Sequence, residues 1–161
     1  MSFDLNDRKA EGTPCRVWTE RDRGAVALGD DQRQIRIFAP AEALDDCART
    51  LDRVMNAGDL MLLDFDDLKG WNGWRLCCRR SMQMPAGQWN EPPAQEFGSE
   101  WGQAQGLLLH AALPEAVGLM EVENLCAYFM EVVSKDAKIL LSTEYSFDDC
   151  LSVEALGLTK D

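Results

Sequence analysis

Leu107-Leu108-Leu109-His110-Ala111-Ala112, then Leu119 to Val133, then Ala137-Lys138-Ile139-Leu140-Leu141-Ser142-Thr143 is the stretch that decides the fold. The first run follows Gly106 and is apolar, and its length suits a buried strand. The middle segment repeats apolar residues at helical spacing, which predicts a buried face of Val122, Leu125, Cys126, Phe129, Met130 and Val133. Glu121 and Glu123 fall in its first turn, where the helix dipole favours negative charge. The last run is a second short strand. A strand, a helix and a strand in so short a span predict a βαβ unit with parallel strands and a right-handed crossover.

Upstream, Pro40 suits a first helical turn, and Leu44, Cys47, Ala48, Leu51, Val54 and Met55 form one stripe that Gly58 can cap. Before that helix, Gln34-Ile35-Arg36-Ile37-Phe38 alternates as a strand after the Gly29-Asp30-Asp31 turn. After it, an apolar run meets a cluster of carboxylates, and Asp64 reads as the N-cap of a short helix over about 65–71. At that helix start Asp64 and Asp67 share one face and Asp66 points elsewhere. Gly73 to Met84 reads as a strand with Trp74, Leu76 and Cys78 on one face and Arg75, Cys77 and Arg79 on the other. Residues 85–93 read as a loop, and Pro92-Pro93 opens a short helix over 94–102. Residues 1–24 are expected to be a poorly structured lead-in to a single domain over 25–161. The expected architecture is an α/β two-layer sandwich, with a mixed, largely parallel four-stranded sheet and helices packed on it.

The chain has 161 residues, is 46% apolar and carries 28 acidic against 16 basic residues, for a net charge of -12. That composition gives one globular domain with a core. It leaves little from which to build the basic face that nucleic acid or an anionic membrane requires. Residues 115–161 alone hold ten acids against three bases, which favours a basic partner surface there. The start, Met1-Ser2-Phe3-Asp4, opens no apolar leader and no run approaches the roughly 18 apolar residues of a spanning helix, so a cytoplasmic location is expected. Six cysteines occur with no C-x-x-C pair, and the only histidine, His110, has no cysteine near it in sequence, so neither a disulfide framework nor a zinc site is expected.

Phosphate-binding signatures are absent: the chain has no G-x-x-x-x-G-K-[ST], no G-x-G-x-x-G and no Gly-Gly pair. No cofactor and no enzymatic activity are expected. His110 alternates with Leu108 and Ala112 and reads as a satisfied core or edge histidine. The one constellation with chemical shape is Asp64, Phe65, Asp66 and Asp67; capping explains the carboxylates as well as cation or water binding does.

Gly58-Asp59-Leu60-Met61-Leu62-Leu63-Asp64-Phe65-Asp66-Asp67-Leu68 resembles the loop and helix start of the bacterial tubulin relative FtsZ, where a glycine leads into an asparagine and then Asp-Phe-x-Asp-Val. Gly106 to His110, Gly118 to Glu123 and Ala137 to Thr143 resemble the following elements of that family's C-terminal domain, and the likeness covers about residues 41–149. The resemblance implies the C-terminal activation domain without the GTPase domain, whose Gly-rich signature this chain lacks. It places Asp64 and Asp67 where the family's aspartates reach a neighbouring subunit's nucleotide, with Leu62 in place of the asparagine. The resulting expectation is a non-enzymatic interaction module of bacterial cell division that binds an FtsZ-like partner through the 58–70 loop, using Asp64, Phe65, Asp66 and Asp67. The alternatives are a self-associating homo-oligomer, or a small-molecule site at the sheet edge using His110 or Arg79 and Arg80. A convergent polar pocket around those residues would favour the last.

Overall fold

A computed structural model describes residues 15–57, 63–84 and 98–160. In it the chain runs β1 (Arg16–Glu20), β2 (Ala25–Gly29), β3 (Gln34–Phe38), α1 (Leu44–Asn56), α2 (Phe65–Leu68), β4 (Arg75–Met84), β5 (Gly106–Pro114), α3 (Leu119–Val132), β6 (Lys138–Ser146) and β7 (Leu151–Thr159). The strands form one mixed sheet of seven in the order β1-β2-β3-β4-β7-β5-β6, not the four expected. Nor is it largely parallel: β1–β2, β2–β3, β4–β7 and β5–β7 are antiparallel, and only β3–β4 and β5–β6 are parallel. Two of these antiparallel pairings come from β7, which returns between β4 and β5 and bonds antiparallel to both; the other two join the consecutive strands β1, β2 and β3. The βαβ unit itself stands as expected, with Gly106 to Pro114 in parallel register with Lys138 to Ser146.

Structure also begins earlier than expected. Residues 16–20, assigned from sequence to a loose lead-in, form β1 and pair along their whole length with β2. Val17 packs partly on the core, which repays ordering a strand otherwise rich in charge. The β2–β3 turn is fixed by Asp30, whose Oδ1 accepts the backbone N–H of Gln32 at 2.8 Å and of Arg33 at 2.9 Å. These two donors favour the ionised carboxyl and hold it below the usual carboxylate range. Of the segment expected as a helix over 94–102, Ser99–Gln103 is a 3-10 turn; the 85–93 loop, Pro92-Pro93 and residues 94–97 lie outside the described residues, as do residues 1–14.

Two apolar cores lie on opposite faces of the sheet. On one, the α1 stripe of Leu44, Cys47, Leu51, Val54 and Met55 packs on Leu28, Ile37, Leu108 and Leu156. On the other, Val122, Leu125 and Phe129 of α3 pack with Trp101 on Leu107, Leu109, Val153 and Ala155. Met130, expected on the buried face of α3, is instead 64% exposed, because it lies on the flank of a stripe centred on Val122, Leu125 and Phe129.

Cys77 and Cys78 do not point to opposite faces. The β4–β7 register passes from Leu76↔Leu158 to Cys78↔Gly157 and skips Cys77, a bulge that brings both thiols to one side with their Sγ atoms 3.6 Å apart. Gly157 is required opposite them, since a Cβ there would collide with Cys78 Sγ.

Candidate functional site: the acidic turn and the polar cavity on the α1 side of the sheet

The acidic turn is built by reciprocal capping. Asp64 is extended, its Oδ1 accepts the Asp67 N–H at 3.1 Å, and Asp67 Oδ2 accepts the Asp64 N–H at 2.8 Å. This satisfies donors that a helix start leaves unpaired. Leu68, wholly buried, and Trp71 anchor the turn to the α1 core. As expected, Asp66 points elsewhere: its Oδ1 lies 3.1 Å from Arg33 Nη1 and 3.8 Å from Lys69 Nζ. The Arg33 guanidinium also sits over the Phe65 ring, 5.0 Å from its centroid. The structure thus brings Asp64, Phe65, Asp66 and Asp67 together on one turn, with all three carboxylates exposed. Residues 58–62 of the 58–70 loop lie outside the described residues. Among the described residues no three carboxylate, thiol or imidazole groups converge as a metal site would require, and no helix is long and apolar enough to cross a membrane.

His110 lies on β5, between β7 and β6, and so in the interior of the sheet and not at its edge. It is 1% exposed, its Nδ1 is 2.6 Å from Ser142 Oγ, and its Nε2 is 3.2 Å from Glu144 Oε1. That second approach is short in distance but off hydrogen-bond geometry, so Nε2 has no hydrogen-bond partner. The expectation of a fully satisfied core histidine therefore holds for burial and for one ring nitrogen only. Ser142 is completely buried, which keeps its hydroxyl out of reach of any substrate, so the Ser142–His110–Glu144 line is not a nucleophilic triad. Of the other candidates, Arg79 reaches Asp46 of α1 at 3.5 Å. Arg80 likewise makes an interaction within the chain.

Sequence reasoning missed Glu144 and Glu154. Both face the same side of the sheet as His110, next to a cavity of about 520 Å³ that Arg53, Ser81, Gln83 and Ser152 also line. Their local signal is a polar residue two places from another polar one on the same face of a strand: Ser142 and Glu144, Ser152 and Glu154. Only the sheet order shows that the two pairs flank His110.

A mixed sheet with helices on both faces makes this an α/β domain. The chain has the FtsZ/tubulin-like fold. The empty FtsZ dimer of M. jannaschii matches 74% of this chain and 37% of that chain at 19% identity, with a TM-score of 0.60. A mutant FtsZ of M. jannaschii matches 75% of this chain and 43% of that one at 18% identity and a TM-score of 0.56. The GDP-form protofilament structure of TubZ from Bacillus thuringiensis serovar israelensis matches 74% and 37% at 12% identity and a TM-score of 0.50. The chain thus spans roughly two-fifths of the length of these structures, a share consistent with the C-terminal domain alone. No family model and no curated protein matches it.

Proposed function

We propose that this chain is a non-enzymatic protein-interaction module of the bacterial cytoplasm that docks on an FtsZ-like partner through the turn at Asp64, Phe65, Asp66 and Asp67. The observation that carries this reading is the exposure of three carboxylates on a turn whose shape is held by its own capping bonds, so that the charges are presented in a fixed arrangement. The fold likeness supports it, since two of the matched structures are a dimer and protofilaments. The absence of any phosphate-binding signature in the sequence supports a partner role over a nucleotide-hydrolysing one. A cell-division setting fits the same likeness.

The test is co-sedimentation with purified FtsZ filaments and the rate of GTP turnover. Asp64→Asn keeps the cap, because Asn caps as well as Asp, and removes the charge; Asp64→Ala removes both and costs about 1 kcal/mol of stability. Asp66→Arg inverts the charge outside the cap. Wild type is expected to co-sediment and to change turnover, with Asp66→Arg lowering co-sedimentation at least about fivefold, the effect of about 1 kcal/mol. No co-sedimentation together with unchanged turnover overturns the reading. Self-association is the second reading. It is favoured by the two outer strands β1 and β6, each with one side unpaired among the described residues. Light scattering over a concentration series separates the two.

A further inference from the structure

The sheet face that α1 packs on is not apolar throughout. On it Ser81 and Gln83 of β4, Ser152 and Glu154 of β7, Glu144 of β6 and Arg53 of α1 line a cavity of about 520 Å³. That volume falls within the range of small-molecule sites, about 300–1,000 Å³.

Two buried polar atoms beside this cavity have no hydrogen-bond partner. His110, 1% exposed, turns its Nε2 toward Glu144 at the cavity floor without making a hydrogen bond. Glu154 Oε2 is buried too; Arg53 Nη1 is 3.5 Å away, close enough to pair in charge but not aligned to donate. Buried polar groups left unpaired cost free energy, and folded proteins rarely keep two together unless something else supplies the partner. What Glu154 Oε2 lacks is an N–H or O–H donor.

Charge narrows the donor. Among the described residues Glu144, Asp148 and Glu154 line the cavity against one cation, Arg53, so an anion is repelled and a cation attracted. Phe147, at the β6–β7 turn on the cavity wall, is fully exposed and offers an aromatic face of the kind that attracts ammonium and guanidinium groups. We propose that this cavity binds a small organic cation, an alkylammonium or alkylguanidinium, with Glu154 and Glu144 accepting its N–H hydrogen bonds and Phe147 flanking the charge. This site is separate from the acidic turn and does not depend on it.

The probes are putrescine for the ammonium, agmatine for the guanidinium and inorganic phosphate as the anion, titrated calorimetrically into the full chain at low ionic strength. Putrescine or agmatine is expected to bind and phosphate not. Glu154→Gln should weaken binding by about tenfold or more, the effect of losing a hydrogen bond between charged groups. Phe147→Ala, at an exposed site that leaves the fold untouched, should weaken it about threefold, and Asp66→Arg, in the separate turn, should leave it unchanged. N-acetyl-arginine-N-methylamide binding as well as agmatine assigns the cation to an arginine side chain of a partner; weaker binding assigns it to a free amine. The proposal fails if neither amine binds at 10-millimolar order concentrations, if phosphate binds as well as they do, or if Phe147→Ala and a folded Glu154→Gln both bind as wild type does.

Discussion

The two faces of the sheet are made by alternate residues of the same strands, yet they end up in different surroundings. Along β5, Leu107, Leu109, Ala111 and Leu113 enter an apolar core that α3 and Trp101 seal. Leu108, one position away, enters the α1 core, but on the same side His110 is buried against Ser142 and Glu144, and Ala112 lines the polar cavity. One face of β5 is thus apolar throughout, while the other turns polar after Leu108, and that is where the sheet has side chains with chemistry to offer.

The largest test of that contrast is Phe129→Ala on the sealed face. Phe129 has no exposed surface, so chemical denaturation should show a loss of about 3–5 kcal/mol. A loss below about 1 kcal/mol would mean that this face is not close-packed. Smaller effects belong to the open face. Arg53→Ala takes away the guanidinium 3.5 Å from the Glu154 carboxylate and should cost about 1 kcal/mol. Glu154→Gln removes the charge itself and should cost less than Arg53→Ala, an ordering that the same denaturation experiment checks. The smallest effect on stability, but the clearest between faces, is thiol chemistry. Burial on the inner face of α1 pushes the Cys47 thiol up to about 12, whereas the hydrogen bond from Cys78 lowers that of half-buried Cys77. A lowered thiol is ionised at lower pH than usual and a raised one only well above it. Iodoacetamide at pH 8 should therefore label Cys77 at least about tenfold faster than Cys47, read by peptide mass spectrometry.

Much of this was legible where the signal is local. The α1 stripe, the Asp64 cap and the βαβ unit all rest on spacings within one segment, and the structure has each of them. What was not legible depends on partners far along the chain. In β7, Leu151, Val153 and Ala155 face one core and Leu156 and Leu158 the other, so its second half reads as a continuous apolar run without alternation. Its place between β4 and β5 adds two antiparallel pairings to a sheet expected to be mixed and largely parallel. The Cys77–Cys78 bulge depends on the β7 register and cannot be seen in β4 alone. The acidic turn was found because its residues are consecutive; Glu144 and Glu154 were missed because they meet His110 only through the sheet order.

That order also constrains how the protein can be made. β4 and β5 precede β7 in the chain, yet each is hydrogen-bonded to it along most of its length. During synthesis both strands leave the ribosome with one hydrogen-bonding edge that has no partner until the nine-residue β7 follows them. Folding in order of emergence is thereby interrupted: β1 to β3 and the β5–β6 pair can form as they appear, but β4 and β5 are joined only when β7 enters between them. For that interval the nascent chain exposes the kind of unpaired strand edge that chaperones shield, so its yield in a cell rests on β7.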